Sequence, residues 1–243
     1  MRLSQLVTVL ILTVGLAALP AAQAAAPAAD PQAEFRQFLQ AFESRLVPLS
    51  RDAALASFQA SVSGREADYE RSADLQLQLK KLYADPAAFA RIKAWRAAGA
   101  VTEPLLRRQL DILYLDFLGN QLPEATLAEL VNRQTAIEKA YNTFRPVIDG
   151  RPYTDNELEA VLGGSADSAR LEAAWTASKA IGREVAPAIV ELVKLRNQAA
   201  RSLGFKNFQA MQLALSEQDP DAIEALFDQL DQMTRDDFAR AKE

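Results

Sequence analysis

The sequence contains no histidine and no cysteine among its 243 residues. Without cysteine, the chain has no disulfide bond, no thiolate nucleophile and no thiolate ligand for a metal. Without histidine, it has no Ser-His-Asp triad and no imidazole to bind zinc. Carboxylates alone favour calcium or magnesium, and no Asp-x-Asp-x-Asp-Gly loop is present. We therefore predict that this chain holds no catalytic, cofactor-binding or metal-binding residue of its own.

Clusters of positive charge are also missing. The formal net charge is −5, and no run of lysine and arginine stands out. Because the phosphates of nucleic acids demand a basic face, a nucleic-acid partner is excluded. Glycine is scarce, with 9 residues, and no segment shows the alternation typical of a strand. The composition therefore predicts an all-α fold.

The first residues have the pattern of a secretory signal peptide. Arg2 supplies a positive start, Leu6 to Leu19 is apolar, and Ala22-Gln23-Ala24 is a small-x-small cleavage site. The apolar run is shorter than the roughly 20 residues that a membrane span needs. We therefore expect export to the periplasm or the extracellular space, with no stable membrane span after cleavage. The expected organisation is a signal peptide at 1–24, a loose leader at 25–33 and a helical part at 34–243.

Helix starts are marked by local capping signals. Asp30-Pro31, Asp85-Pro86 and Asp219-Pro220 each place an Asp N-cap before a Pro at the first helical position. Thr154 and Glu157 have the spacing of a capping box, and Asp167 is a further N-cap candidate. The predicted helices span residues 31–47, 51–62, 65–83, 86–98, 103–118, 123–145, 155–162, 168–203, 207–217 and 220–242.

The segment 168–203 is the strongest periodic element. Two apolar stripes at helical spacing predict a long central helix packed on more than one side. Pro187 removes one backbone hydrogen bond, so we expect a kink between Arg183 and Pro187 rather than two helices. Elsewhere, Arg145 to Tyr153 has two prolines and an Asp-Gly pair and is compatible with a small hairpin. Left-handed helix ends are expected at Gly64, Gly99 and Gly119.

Two groups of carboxylates are the remaining candidates for acid–base chemistry. Helix dipoles favour acidic residues in a first turn, and the other carboxylates have the pattern of a solvated face, so we favour a structural interpretation of both. Tyr114 and Phe117, at helical spacing, are interpreted as core rather than as a ligand site. The carboxylate groups are Asp155, Glu157 and Glu159, and Asp228, Asp231, Asp236 and Asp237.

The segment "LEAAWTASKAIGREVAPAIVELVKLRNQAARSLGFKNFQAM", Leu171 to Met211, resembles the helical region upstream of the zinc motif in the angiotensin-converting-enzyme-like peptidyl-dipeptidases. Pro104 to Leu122, Tyr141 to Leu162 and the closing segment from Leu226 are similar to bacterial members of that family. The oligoendopeptidases and thimet-type oligopeptidases share this helical architecture, so the subfamily stays open. The match rests on Trp175, Gly182, Leu195, Asn197, Ala199, Ala200, Arg201 and Gly204.

The resemblance implies the N-terminal portion of a gluzincin-type helical peptidase, with lid helices over a deep groove. In the full-length family, zinc is held by a His-Glu-x-x-His helix and a further glutamate, and the substrates are peptides. That motif is absent here, so we expect a chain truncated before the catalytic helix and inactive alone. The alternative is a non-catalytic exported peptide-binding protein or a degenerate relative.

Polar residues of the matched segment have two possible roles. Asn197 and Arg201 are candidates for lining the substrate groove, although a polar residue on a packed helix commonly makes structural hydrogen bonds. Arg196 and Arg201 are expected in ion pairs or caps. Gly204 is expected to close one helix and Asn207 to start the next.

Overall fold

The computed structural model of the protein describes residues 30–243. The predicted signal peptide and most of the predicted leader lie outside these residues, and 31–33 belong to the first helix. The fold is all-α, as predicted, and among 30–243 no helix is long and apolar enough to cross a membrane. The elements are α1 Pro31–Ser63, α2 Glu66–Tyr83, α3 Pro86–Ala98, α4 Pro104–Leu118, α5 Glu124–Thr143, β1 Val147–Ile148, β2 Arg151–Pro152, α6 Asp155–Gly164, α7 Ser168–Lys179, α8 Ile181–Ser202, α9 Phe208–Leu215 and α10 Pro220–Ala241.

The predicted caps of α3, α6, α7 and α10 begin their helices. Asp85 Oδ1 accepts from the backbone N–H groups of Ala87 and Ala88 at 2.9 and 3.1 Å. Asp219 and Asp167 cap α10 and α7 in the same way. Thr154 and Glu157 form the reciprocal capping box of α6. These contacts are local in sequence, which is why the sequence alone identifies them.

The prediction of two helices at 31–47 and 51–62 is wrong, because α1 runs unbroken through Pro48. Phe42 before the proline and Ala53, Ala56 and Ala60 after it are all buried. The helix packs along α2 over this length. Tertiary packing on both sides of Pro48 therefore holds the helix together despite the backbone hydrogen bond that proline cannot donate.

The main core lies among α1, α3 and α4, with the end of α2. Phe117 of α4 is fully buried, and its ring lies 5.4 Å from Phe42, 5.5 Å from Tyr83 and 6.4 Å from Phe89 between centroids. Phe35 is also fully buried and meets Trp95 edge-on at 5.4 Å. Phe117 thus has the core role predicted for it.

The predicted single kinked helix at 168–203 is two helices that meet at Ala180. At the joint, the N–H groups of Ala180 and Arg183 donate to carbonyls three residues earlier, those of Ala177 and Ala180. Pro187 lies inside α8, beyond the break. The two helices have different packing partners: α7 packs on α6 and β1, whereas α8 packs on α5 and α9. These divergent contacts explain a break upstream of the proline.

The predicted hairpin is present, with Val147 paired to Pro152 and Ile148 to Arg151. Asp149 and Gly150 form its turn with φ of 51° and 80°. The left-handed helix ends are confirmed at Gly64 and Gly99 but not at Gly119, where φ is −64°. Gly119 has a different constraint, because a Cβ there would lie 2.7 Å from Cδ1 of Leu215. Contact between α4 and α9, rather than backbone conformation, explains this glycine.

Candidate functional site

The corner between α8 and α9 carries most of the residues that the resemblance selected. Gly204, at φ 90°, ends α8, and the N–H of Phe205 donates to the Ala200 carbonyl at 3.0 Å. This 6→1 bond and the bond from Gly204 N–H to the Arg201 carbonyl, also 3.0 Å, form a Schellman motif. Asn207 then caps α9 by accepting from the Ala210 N–H at 2.8 Å. Gly204 and Asn207 therefore have the predicted roles.

Asn197 and Arg201 differ in their surroundings, although both are on α8. The side-chain oxygen of Asn197 accepts from the backbone N–H of Phe208 at 2.9 Å, which joins α8 to the first turn of α9. This is a structural contact. The Arg201 side chain is exposed and forms no ion pair within 30–243. The groove-lining role of these two residues stays a prediction.

Arg196 faces a cavity instead of a carboxylate. An ion pair or cap was expected, but its guanidinium donates to the side-chain oxygen of Gln134 at 3.0 Å and lies 5.0 Å from the ring centre of Phe208. No carboxylate within 30–243 forms an ion pair with it. The expectation is therefore wrong for Arg196, whose guanidinium contacts an amide oxygen and an aromatic face instead.

The cavity next to Arg196 has a volume of about 440 Å³ and lies among α2, α4, α5, α8 and α9. Its charged lining residues are Lys80, Asp116 and Arg196, one from each of α2, α4 and α8. Amide and hydroxyl groups from Asn120, Gln134, Gln212 and Ser216 complete the polar lining. The apolar lining is formed by Leu115, Leu122, Leu127, Leu130, Ala199, Phe208, Met211 and Leu215.

The cavity perturbs the ionisation of its lining. Burial lowers the pKa of the Lys80 ammonium, and the positive charge of Arg196 lowers it further. Burial raises the pKa of the Asp116 carboxyl. Tyr83 is outside the lining, and there burial and the neighbouring charge of Asp116 raise its pKa to about 12. The Lys80 side chain forms no hydrogen bond or ion pair with any residue that the structure describes, whereas the side chain of its neighbour Lys81 pairs with Glu124.

Lys80 and Asp116 were not selected from the sequence. Lys80 and Lys81 are adjacent in "QLKKLY", and nothing local distinguishes the lysine that enters the cavity from the one on the surface. The difference arises because α8 and α9 pack across α5 and close the space beside α2. Long-range packing of this kind leaves no signal in a short window of sequence.

A second cavity, of about 490 Å³, lies between α2 and α5. Glu66, Glu70 and Asp74 line it from α2, and Lys139 crosses from α5 to form an ion pair with Glu66. Its remaining lining is mostly alanine, asparagine and threonine. Nothing within it is arranged as a nucleophile with a base.

The residues present do not fit a zinc site. The chain offers only carboxylates among the usual protein ligands, and no three Asp or Glu residues within 30–243 are grouped to hold a metal. The predicted carboxylate clusters have structural surroundings: Glu157 accepts from Thr154 and pairs with Arg151. On α10, Asp231 pairs with Arg235 and Asp237 with Arg240.

A large apolar surface lies on the later helices. On α7 and α8, Trp175, Ile189, Val190 and Val193 are each more than 40% exposed. No residue of α10 is buried. The prediction that segment 168–203 packs on more than one side is met by contacts of α7 with α6 and β1 and of α8 with α5 and α9, although these exposed apolar residues are left uncovered by the described helices. The exposed apolar residues of α10 are Leu226, Phe227, Leu230, Met233 and Phe238.

Comparisons with known proteins identify the family to which this helical fold is similar. The family model described as angiotensin-converting enzyme, of the M2 peptidases, matches residues 29–236. The angiotensin-converting enzyme-like protein Ace3 of Mus musculus is 31% identical over 112 residues. That match covers 45% of this chain and 15% of the mouse protein, so the matched region is a small part of that relative's length.

Proposed function

The chain belongs to the angiotensin-converting enzyme family, and from this membership we propose that it forms the N-terminal part of an exported zinc metallopeptidase that hydrolyses peptides. The observation that carries the proposal is the family match over 29–236, which takes in nearly every described helix. The peptidyl-dipeptidase and oligopeptidase types of hydrolysis both fit this family architecture. Family membership identifies the fold, whereas the chemistry depends on the residues of an active site.

The catalytic residues of this proposal lie outside the chain. A sequence with neither histidine nor cysteine cannot supply the imidazole ligands on which zinc peptidases rely. The cavity lined by Lys80, Asp116 and Arg196 also lacks a nucleophile paired with a base. The role proposed for this chain is therefore to build and cover the peptide groove, with α1 to α3 as lid helices.

The exposed apolar faces support the proposal that this chain builds the groove while another part of the peptidase carries the catalytic residues. Exposed apolar side chains that recur along one helix, as they do on α10, commonly mark a surface that packs on something else. In the proposed full-length peptidase, the faces of α8 and α10 pack against the part that carries zinc. The isolated chain is then expected to associate or aggregate, and a melting temperature that depends on protein concentration measures this.

The genetic test reads the DNA downstream of codon 243 in the source gene. The proposal expects an open frame, reached directly or after one frameshift, that encodes a His-Glu-x-x-His helix followed by a glutamate ligand. A stop codon there in an intact gene, with no such helix downstream, would overturn the proposal. It would favour a non-catalytic exported peptide-binding protein or a degenerate relative instead.

Export is tested separately. The proposal expects cleavage after Ala24, because the small-x-small site ends there. Intact-mass measurement of the protein recovered from the periplasm or medium should give a chain that starts at Ala25. A product that keeps Met1 and stays in the cytoplasm would contradict export without affecting the peptidase assignment.

A further inference from the structure

We propose that the cavity lined by Lys80 and Arg196 binds a small apolar monocarboxylate, with the carboxylate between the two cations and the apolar body against the leucine, methionine and phenylalanine side chains. This proposal goes beyond the peptidase function and does not depend on it. The residues that carry it come from four helices, α2, α5, α8 and α9.

The first argument is the unbalanced charge. Lys80 and Arg196 line one cavity, and neither forms an ion pair with a carboxylate of residues 30–243. Buried or half-buried cations are normally paired, because loss of water is costly without a counter-charge. The pKa of Lys80 is lowered by burial and by Arg196, as expected for two cations held near each other without an anion. A bound anion would relieve both effects.

The second argument is the number of charges that the cavity presents. Asp116 is the remaining charged residue of the lining, and it pairs with neither cation. Two cations and one carboxylate leave one positive charge in excess, which suits a ligand with a single negative charge. The Arg196 guanidinium donates one N–H to Gln134 and forms no other hydrogen bond with the described residues. Its other donors are available to a carboxylate in bidentate geometry.

The third argument is the apolar wall and the volume. Leu127 and Met211 line the cavity and are 1% and 5% exposed, and Phe208 presents its ring below the Arg196 guanidinium. A cavity of about 440 Å³ is larger than an inorganic anion needs and lies within the range of small-molecule sites. The lining combines eight apolar residues with seven polar or charged ones, which suits an organic acid that carries both an apolar body and polar groups better than chloride or sulfate.

The test measures binding of N-acetylphenylalanine to the full chain by isothermal titration calorimetry. Its amide, N-acetylphenylalaninamide, lacks the carboxylate, and acetate lacks the apolar body. We expect saturable binding of the acid and at least about tenfold weaker binding of the amide and of acetate. Absence of saturable binding at millimolar acid, or equal binding of the amide, would overturn the proposal. Displacement by chloride or sulfate at the same concentration as the acid would also overturn it.

Three variants locate the site. Lys80→Met and Arg196→Gln are each expected to weaken binding about tenfold or more, and Lys80→Arg to retain most of it. Lys194→Met is the matched control, because Lys194 is also on α8 but is exposed and outside the cavity lining. Unchanged affinity in both Lys80→Met and Arg196→Gln would contradict the assignment.

A fold readout separates lost binding from lost structure. Lys80→Met removes a desolvated charge and keeps the length of the side chain, so the free variant is expected to melt at or above the wild-type temperature. The acid should raise the melting temperature of the wild type but not of this variant. If the variant fails to fold, Arg196→Gln decides the outcome.

Discussion

The early helices, α1 to α4, and the late helix α10 differ in how far their apolar side chains are buried. Among α1 to α4, Phe35, Ile92 and Phe117 are each fully buried, and the rings of Phe35 and Phe117 contact those of Trp95 and Phe42. In α10, by contrast, no residue is buried, and Phe238 is 67% exposed. The first region encloses its own core, although Leu55, Phe58 and Val62 of α1 are also exposed. The second region presents apolar faces that nothing within 30–243 covers.

This difference in burial arises from tertiary packing rather than from the local signals that start each helix. Helix α3 and helix α10 begin with the same Asp-Pro pair, and both N-caps accept two backbone N–H bonds. The apolar faces of the two helices differ in burial, because α3 packs on α4 whereas α10 makes limited contact with α9. A helix can therefore be well formed without contributing a core. The predictions below test where the stabilising contacts lie.

The largest effect is expected for Phe117→Ala. Phe117 is fully buried among Phe42, Tyr83 and Phe89, so its removal leaves a cavity and should cost about 3–5 kcal/mol in the free energy of unfolding. Phe238→Ala on α10 should change that free energy by less than about 0.5 kcal/mol. Chemical denaturation followed by circular dichroism measures both. Equal costs would erase the proposed difference between the regions.

The next effect concerns the link between α8 and α9. Asn197→Ala leaves the half-buried N–H of Phe208 without its acceptor, at an expected cost of about 1–3 kcal/mol. Asn197→Asp keeps an oxygen acceptor and should recover most of the loss. Gln198→Ala, at an exposed neighbouring position, is the control. A neutral Asn197→Ala variant would favour the groove-lining prediction for this residue over the structural contact.

The corner around Asn197 also shows what the sequence could predict. Gly204, Asn207, Asp85 and Thr154 act on backbone groups within a few residues, so their roles follow from local spacing. The prediction of separate helices at 31–47 and 51–62 failed because packing of α1 on α2, which is distant in sequence, preserves the helix through Pro48.

Features that depend on distant contacts were misjudged or missed. Gly119 was expected to be left-handed, but it is there to make room for Leu215, which is 96 positions later in the chain. The break at Ala180 follows from the separate partners of α7 and α8. Lys80 differs from Lys81 only in the helices that close around it.

A matched pair of cap variants sharpens the comparison. Asp85→Ala and Asp219→Ala remove similar bonds, because each Oδ1 accepts two backbone N–H groups at 2.9 to 3.1 Å. Asp85→Ala should lower the global free energy of unfolding by about 1 kcal/mol. Asp219→Ala should instead increase hydrogen exchange in α10 alone, since α10 adds little to the core. A larger global loss in Asp219→Ala would reverse the ranking of the two regions.

The smallest effect is a pH dependence within the early region. The pKa of Tyr83 is raised from 10.0 to about 12, so the unfolded state loses its phenol proton first. The contribution of Tyr83 to stability is therefore complete below pH 10 and is lost as the pH rises towards about 12. Tyr83→Phe should flatten this fall in denaturation midpoint, and Tyr141→Phe, with a 63% exposed ring, should not. An unchanged slope in Tyr83→Phe would contradict the assigned cause.

The most direct test of the account is zinc content combined with cleavage of a quenched-fluorescent peptide, measured on the purified chain with and without a chelator. The account predicts no stoichiometric zinc and no cleavage, because the chain has no histidine or cysteine and no grouped carboxylates within 30–243. Stoichiometric zinc with chelator-sensitive cleavage would contradict it. That result would mean that carboxylates alone build a catalytic site here, and that this chain is an enzyme rather than the scaffold of one.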